Sequence, residues 1–235
     1  MGYFLSAVLL LVVTGMYCWW IFLPHKELPL FTKKRILCIG DSITFGAGVV
    51  PMRWRDSYPA ILQQKLGHEY QVLNYGISGA TMQLSSDKPY SQAFVDAAEK
   101  TKPEICILML GTNDSKAHNW NPESFAKDLN KRISRIQSFS SAPKIILAIP
   151  PAAFGSPIAY EIDDDIIREQ IRTILIQYAK VKRFPIIDFY QETKAHPEWF
   201  PDGVHPNRKG NQRIAEIAYR KLKEILTEGE IKHGD

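Results

Sequence analysis

The sequence is poor in cysteine and lacks the residue clusters that bind metal or build a disulfide framework. Its three cysteines are Cys18, Cys38 and Cys106. No C-x-x-C pair and no grouping of histidine with cysteine occurs, which argues against a zinc site and a disulfide scaffold. Cys38 and Cys106 lie in apolar, strand-like runs, where a buried reduced thiol is the usual state. We therefore expect no metal and no cofactor.

Dense charge of one sign is also absent. The formal net charge is +4, and the densest basic cluster consists of Lys33, Lys34 and Arg35. This cluster is too short for the basic arm of a nucleic-acid-binding protein. Internal repeats and low-complexity segments are missing as well. We therefore expect no nucleic-acid partner, while the oligomeric state stays open.

Charged residues are missing altogether from positions 3–23. At ~1.5 Å per residue, a helix of this length reaches ~30 Å, the thickness of a bilayer core. Trp19 and Trp20 match the interfacial preference of aromatic residues. The basic start and the small-residue cleavage motif of a signal peptide are absent. We therefore predict a single-pass membrane anchor over residues 1–24, with a cleaved signal peptide as the alternative, and a short linker over residues 25–34.

The rest of the chain alternates between apolar runs and amphipathic stretches. The apolar runs predict short buried strands at residues 36–39, 70–74, 105–110, 144–149 and 184–189. The amphipathic stretches predict helices at residues 58–66, 91–100, 122–136, 162–178 and 209–226. This alternation requires a parallel sheet with helices on both faces. We therefore predict one α/β domain over residues 35–227, a three-layer α/β/α sandwich of about five parallel strands, with a frayed tail at residues 228–235.

Residues that can do chemistry stand in the loops after these predicted strands. Ser42 follows the first strand, and Asn113 follows the third. The loop that contains Asp202 and His205 follows the last strand. Because loops at the carboxyl ends of parallel strands emerge at one edge of the sheet, we expect these side chains to meet. Ser42 is either a turn residue or a nucleophile, and His205 is either a helix-capping residue or a base.

Asp202 lies three residues before His205, a spacing that can bring its carboxylate to a ring nitrogen of the histidine. Such a contact fixes the tautomer and stabilises the imidazolium that forms when the histidine accepts a serine proton. The Asp-Gly pair is also common in simple turns. Asn113 can likewise be read as a turn residue, or as an oxyanion donor together with the backbone N–H groups of Ser42 and Gly79.

With these residues in place, the chain resembles the SGNH (GDSL-type) hydrolase family. Four blocks carry the resemblance, in the family's order and across almost the whole globular part. They are Gly40-Asp41-Ser42-Ile43-Thr44, Asn74-Tyr75-Gly76-Ile77-Ser78-Gly79, Gly111-Thr112-Asn113-Asp114 and Asp202-Gly203-Val204-His205-Pro206.

The resemblance implies a flavodoxin-like fold and a set of roles. Ser42 would be the nucleophile, His205 the base and Asp202 the acid that orients it. The N–H groups of Ser42 and Gly79 and the side chain of Asn113 would form the oxyanion hole.

The second block leaves two competing assignments. Gly76 is a second candidate for the family's glycine, although Gly79 aligns better because Ala80 and Thr81 follow it. Ser78 is a rival nucleophile, but the G-x-S-x-G elbow of α/β-hydrolases is incomplete around it, since alanine stands at the last position. Ser78 is therefore the weaker candidate.

Such a site implies an ester substrate and an acyl-serine intermediate. It does not identify which acyl group or which alcohol the ester contains. Residues 111–120 and 150–154 are similar to family members described as sialate or other carbohydrate O-acetylesterases. The candidate substrate-lining residues are Asp41, Tyr90, Trp120 and Phe154, although the three aromatic side chains can also be read as packing residues. The connecting loops have no broad apolar lid, which favours a short acyl group.

We therefore expect a small-molecule or carbohydrate ester as the partner and an esterase that removes acetyl groups. The alternatives are a lysophospholipase or thioesterase of the same fold, and a non-enzymatic sugar-binding module. The basic residues after the apolar segment favour a cytoplasmic domain. Because acetylated sugars usually lie outside the cytoplasm, we expect the domain on the extracytoplasmic or periplasmic side.

Overall fold

A computed structural model of the protein describes residues 6, 8, 10–16, 21, 23–155 and 160–231. Its centre is a sheet of five parallel strands in the order β2-β1-β3-β4-β5. The strands are β1 Lys34–Gly40, β2 Tyr70–Gly76, β3 Ile105–Met109, β4 Lys144–Ile149 and β5 Ile186–Asp188. This is the flavodoxin-like order, in which the chain reverses direction across the sheet between β1 and β3. The predicted parallel α/β fold is confirmed.

The central strands β1, β3 and β4 are apolar except for the charged residues that begin β1 and β4, because helices cover both faces of the sheet. Every residue of β3 is buried. Cys38 pairs with Ile107 and Leu37 pairs with Cys106 across β1 and β3. The two cysteines are thus one register position apart and point to opposite faces. Both are buried and free, and this geometry explains why they form no bridge although their strands are neighbours.

Helices form the two outer layers. They are α1 Ser42–Phe45, α2 Arg53–Asp56, α3 Tyr58–Leu66, α4 Gln92–Lys100, α5 Pro122–Gln137, α6 Arg172–Lys182, α7 Phe189–Thr193 and α8 Arg208–Ile231. One hydrophobic core lies between the sheet and α3 and α8, and a second lies between the sheet and α4, α5 and α6. A fully buried leucine or isoleucine stabilises such a core by ~1.5–3 kcal/mol.

The fifth strand and the helix before it differ from the prediction. The predicted strand 184–189 is confined to Ile186–Asp188, because Pro185 has no N–H to donate and the Asp188 side chain caps α7 by accepting a hydrogen bond from Gln191 N at 3.0 Å. The predicted helix 162–178 begins with a π-helical turn, Ile166–Ile171, and extends through α6 to Lys182. Asp163 Oδ1 caps its start by accepting from Ile166 N at 3.1 Å.

The last helix, α8, reaches Ile231, so the first part of the tail predicted to fray is helical. Residues 232–235 lie outside the described residues. The structure therefore extends the ordered domain beyond position 227.

Residues 23–31 form an irregular strap along β2, an edge strand of the sheet. Glu27 Oε2 accepts a hydrogen bond from Asn74 N in that strand at 3.0 Å. Gln71 donates to Leu28 O at 2.9 Å and accepts from Leu30 N at 2.6 Å. The strap thus occupies part of an edge that would otherwise offer unpaired backbone groups. Most of the predicted linker, 25–34, is bound to the domain rather than free.

Arg53 ties the start of the strap to α1. Its guanidinium donates to Ile21 O and Leu23 O, each at 3.3 Å. The same group lies 4.1 Å from the centroid of the Phe45 ring, a cation–π contact with the last residue of α1. The chain before residue 24 is therefore linked to the helix that contains Ser42.

Residues 10–16 are helical, and their large apolar side chains are exposed. No helix in the described part of the chain is long and apolar enough to cross a membrane. Several positions of the predicted anchor, including Cys18, Trp19 and Trp20, lie outside the described residues. The anchor over residues 1–24 therefore stays a prediction.

Candidate active site

Ser42 lies at the carboxyl end of β1 and is the first residue of the short helix α1. Asp41 caps this helix, because its Oδ1 accepts a hydrogen bond from Ile43 N at 2.9 Å. Gly46 ends it in the left-handed region, with φ +94°. The sequence predicted a loop here, and these two capping residues explain why one helical turn forms. The turn holds Ser42 at the point where the strand order reverses.

His205 and Asp202 complete a continuous hydrogen-bonded chain with Ser42. The Nε2 atom of His205 lies 2.8 Å from Ser42 Oγ, and its Nδ1 atom lies 2.8 Å from Asp202 Oδ2. Ser42 and His205 are both buried. The structure thus brings together the three residues that the sequence proposed as nucleophile, base and orienting acid, in the order that this chemistry needs.

Asp202 stays ionised through contacts with the backbone of its own loop. Burial would raise the pKa of Asp202, but hydrogen bonds from the N–H groups of His205 and Val204 to Oδ1, at 2.7 and 3.0 Å, outweigh it. Together with the His205 ring, they hold the pKa of this carboxyl below its usual range. A carboxylate is therefore present opposite Nδ1 at neutral pH.

Asp41 was expected to line the substrate, and this expectation is wrong. Its side chain is completely buried and serves as the cap of α1. Burial raises the pKa of Asp41 to about 6, even though the Ile43 N–H, the neighbouring Thr112 hydroxyl and the charge of His205 oppose the rise. Its Oδ2 atom has no hydrogen-bond partner among the described residues. Asp41 therefore stabilises the helix that begins at Ser42 and does not face a ligand.

Gly79 and Asn113 follow β2 and β3, so their loops emerge at the same edge of the sheet as Ser42. The carboxyl ends of β2 and β3 both flank that of β1, with Gly40 paired to Gly76 and to Met109. Asn113 Nδ2 donates to Ala80 O at 3.1 Å, directly after Gly79. A primary amide has two N–H groups, so one remains for a ligand. Gly79 has φ +79°, a conformation that glycine adopts without strain.

The two competing assignments in the second block are separated by packing. A Cβ atom on Gly76 would lie 2.2 Å from Phe45 N, so Gly76 is needed for the contact between β2 and α1. Gly79 has no such backbone neighbour. Ser78 is half-buried, and no hydrogen bond joins it to a histidine within the described ranges. These contacts favour Gly79 and Ser42 over Gly76 and Ser78.

The sequence reasoning missed a buried polar network that holds the loop after Gly79. Asp114 accepts hydrogen bonds from Met82 N at 2.8 Å and Gln83 N at 2.9 Å, and burial raises its pKa to about 6. Arg132 donates from Nε to Met82 O at 2.6 Å. A signal was available, because Arg132 lies on the apolar stripe of α5, where an exposed charge is not expected.

Tyr90 does not line the site, so its prediction is also wrong. Its ring is buried in the core, and its hydroxyl donates to Tyr75 O at 2.6 Å. Trp120 is half-buried, packs against Phe125 with ring centroids 5.4 Å apart, and donates to Gln170 Oε1 at 2.9 Å. The packing interpretation holds for Tyr90; Trp120 packs as well, and its role in lining the substrate stays a prediction.

Phe154, in contrast, lies beside the triad. Its N–H donates to Gly203 O at 2.6 Å, within the Asp202–His205 loop. It borders a cavity of about 270 Å³. The cavity is lined by Ala153, Phe154, Gly155, Tyr160, Ile162, Asp163, Asp164, Asp165, Asp202 and Val204. The sequence reasoning identified neither Tyr160 nor the acidic residues 163–165. In the part of the chain that the structure describes, no group of three or more acidic, histidine or cysteine side chains is placed to hold a metal ion.

Comparison with known proteins agrees with this geometry. An acetylxylan esterase from Xylanibacter ruminicola is 36% identical over 210 residues, which cover 80% of this chain and 43% of that protein. The chain thus spans less than half the length of this relative. The thioesterase 1/protease 1/lysophospholipase L1 of Escherichia coli K12 is 24% identical over 211 residues, which cover 87% of this chain and 93% of that protein.

Among solved structures, a carbohydrate acetylesterase from Sinorhizobium meliloti has the same fold. It matches with a TM-score of 0.68 at 19% identity, over 82% of this chain and 100% of that chain. The sequence model of one family, the GDSL-like Lipase/Acylhydrolase family, matches residues 38–213, which contain Ser42, Gly79, Asn113, Asp202 and His205. The chain therefore belongs to the GDSL-like lipase/acylhydrolase family.

Proposed function

We propose that the chain is a carboxylic-ester hydrolase that acts through an acyl-serine intermediate. The observation that carries this proposal is the unbroken hydrogen-bonded chain from Asp202 through His205 to Ser42 Oγ. Membership of a lipase/acylhydrolase family supports it. A sugar-binding module without activity would have no need for this arrangement.

In the first half-reaction, Ser42 Oγ attacks the ester carbonyl while His205 Nε2 takes its proton. Asp202 holds the imidazolium through Nδ1. The carbonyl oxygen becomes an oxyanion, to which the N–H groups of Ser42 and Gly79 and the free amide N–H of Asn113 would donate. The described residues supply no acceptor for either backbone N–H group, which leaves both available. The intermediate collapses, and His205 passes its proton to the departing alcohol.

In the second half-reaction, water replaces the alcohol. His205 takes a proton from the water as it attacks the acyl-serine carbonyl, and a second oxyanion forms in the same position. When this intermediate collapses, the proton returns to Ser42 Oγ and the carboxylic acid leaves. The enzyme is restored without any cofactor entering the cycle.

We propose a short acyl group, acetyl above all, and a carbohydrate as the alcohol. The acetylxylan esterase among the relatives supports this choice. The cavity beside Asp202 also supports it, because Phe154 and Tyr160 offer aromatic faces and the aspartates offer hydrogen-bond acceptors.

The lysophospholipase alternative is supported by the Escherichia coli relative, but the charge of the cavity opposes it. Asp163, Asp164, Asp165 and Asp202 line the cavity, and the described lining contains no lysine or arginine. Of these four aspartates, Arg168 pairs with Asp165 only. A substrate with a phosphate next to the ester would be repelled there. A neutral sugar would not.

Activity of the Ser42→Ala variant tests the mechanism. Hydrolysis of p-nitrophenyl acetate should fall by at least about 10³-fold. A fluorophosphonate should label Ser42 and no other serine, as mapped by mass spectrometry. Retained activity, or a label on Ser78, would overturn the assignment.

A substrate panel tests the specificity. We expect p-nitrophenyl acetate to be preferred to the octanoyl ester, and acetylated xylose to be preferred to lysophosphatidylcholine. Preference for the octanoyl ester or for the phospholipid would replace the acetylesterase proposal with the lipid one.

We further propose that residues 1–24 form an anchor or a cleaved signal peptide and that the domain lies outside the cytoplasm. The uncharged stretch 3–23 supports an apolar leader, and an acetylated polysaccharide would be met on that side. Protease added to cells from which any outer membrane has been removed, and to lysed cells, tests this location. Digestion of the domain only after lysis would contradict it.

A further inference from the structure

Tyr160 contacts both partners of the Asp202–His205 pair. Its hydroxyl donates a hydrogen bond to Asp202 Oδ2 at 3.3 Å. Its ring meets the His205 ring edge-on, with centroids 5.1 Å apart and planes at 89°. The side chain is 43% exposed and forms part of the wall of the cavity. Tyr160 therefore lines the cavity and also contacts two residues of the triad.

Asp202 Oδ2 is shared between two donors. His205 Nδ1 lies 2.8 Å from it and the Tyr160 hydroxyl 3.3 Å, while Oδ1 is occupied by the N–H groups of Val204 and His205. A second donor reduces the negative charge that a carboxylate oxygen presents to the first. The Tyr160 hydroxyl thus weakens the attraction between Asp202 and a protonated His205.

We propose that Tyr160 is a positioning residue of the triad: through Asp202 it orients the His205 ring and reduces its affinity for a proton. The ring edge limits how far the imidazole can tilt, and the hydroxyl sets how strongly Asp202 holds the protonated form. This inference rests on the proposed function, because it takes His205 as the base.

Other ionisable groups face the same pair. The charge of Asp41 acts on His205 from the end of β1. Asp163, Asp164 and Asp165 line the cavity from the turn before α6. The test therefore compares variants at position 160 with the wild type rather than absolute pH values. A comparison at position 160 alone leaves all of them unchanged.

The test compares the Tyr160→Phe variant with the wild-type full-length chain. Phenylalanine keeps the ring edge against His205 and removes only the hydroxyl. Two pH profiles are measured: kcat/KM for p-nitrophenyl acetate, and the rate at which a fluorophosphonate labels Ser42. We expect the acid limb of both profiles to move to higher pH by about half a unit, with an unchanged melting temperature.

Tyr178→Phe is the matched control. The Tyr178 hydroxyl donates to Asn130 Oδ1 at 2.9 Å, between α6 and α5 and away from the triad. The same atom is removed there, and both profiles should match the wild type.

An acid limb in Tyr160→Phe that stays in place or moves to lower pH overturns the inference. A change in KM alone also overturns it, because that would mark Tyr160 as a substrate contact only. An equal shift in Tyr178→Phe would show that the effect is not local and would overturn it too. Failure of the proposed function looks different: Ser42→Ala would remain active, or the label would fall on another serine.

Discussion

Asn211, in the first turn of α8, donates from Nδ2 to the carbonyl of Pro206 at 2.7 Å. The Oδ1 atom of the same buried side chain accepts from Tyr58 N at 2.8 Å, at the start of α3. One amide therefore joins the His205 loop to the segment that follows the Ser42 helix. We expect the distance between nucleophile and base to depend on this bridge as well as on the hydrogen bond between them.

Replacing Asn211 by alanine should weaken both the fold and the site. The variant leaves the Pro206 carbonyl and the Tyr58 N–H buried without partners, which costs about 2–4 kcal/mol. We expect a lower free energy of unfolding in urea and a lower kcat/KM at a temperature where the variant is still folded. If stability falls but kcat/KM does not, the bridge does not position His205.

Asp202→Asn should remove most of the activity without unfolding the loop. Asparagine Oδ1 can still accept from the N–H groups of Val204 and His205, but its amide N–H would face Nδ1 and select the wrong tautomer. We expect kcat to fall by about 10³–10⁴-fold with an unchanged circular dichroism spectrum. Asp96→Asn is the control, because Asp96 pairs with Arg135 on the surface of α4. Activity within tenfold of the wild type would exclude Asp202 as the orienting acid.

Asn113→Ala should lower kcat and leave KM nearly unchanged. The side chain would donate to charge that develops only in the transition state, and loss of such a donor costs about 10²–10³-fold in turnover. Asn130→Ala, on the exposed surface of α5, controls for loss of an amide elsewhere. Steady-state kinetics with p-nitrophenyl acetate give both constants. A large rise in KM with an unchanged kcat would point to a contact with the ground state instead.

Asp41→Asn should change how stability depends on pH. Burial raises the pKa of Asp41 from 3.8 to about 6. The folded state therefore binds this proton more tightly than the unfolded state. The resulting stabilisation is complete below pH ~4 and is lost as the pH rises through ~6.

Asparagine keeps the Oδ1 cap on Ile43 N and carries no charge. Above pH 7 the variant should therefore be more stable than the wild type, by up to about 3 kcal/mol, and the difference should disappear below pH 4. Urea denaturation at pH 4, 6 and 8 measures it. A wild type that is the more stable protein at pH 8 would show that the buried carboxylate is compensated.

The sequence predicted the framework of the site because continuous apolar runs mark buried parallel strands, and chemistry follows where those runs end. Ser42 and Asn113 could be placed in this way. That Ser42 and His205 meet at one edge of the sheet could be predicted in the same way. Their direct pairing could not, since no local rule joins residues 163 positions apart; the four resembling blocks supplied it. Asp202 could be assigned as the partner of His205 because it lies three residues before it in the sequence.

The errors at Tyr90 and Asp41 and the omission of Tyr160 have different causes. The Tyr90 ring could stack on a sugar, but it is buried in the core and its hydroxyl donates to the Tyr75 carbonyl. Asp41 could have been predicted as a cap, because an aspartate before a short segment that ends in glycine is a helix signature. Tyr160 gave no signal, since its contacts with Asp202 and His205 arise only when two loops meet.

The strap at residues 23–31 determines how far the active site can travel from the chain that precedes it. The ends of a free, flexible linker of ten residues would be about 17 Å apart on average. The domain could then move over about that distance relative to the chain that precedes the linker. Here Glu27, Gln71 and Arg53 hold the segment against the domain. If the preceding residues are attached to a surface, the strap keeps the domain at a nearly constant distance from that surface. Only esters at about that distance can then enter the active site.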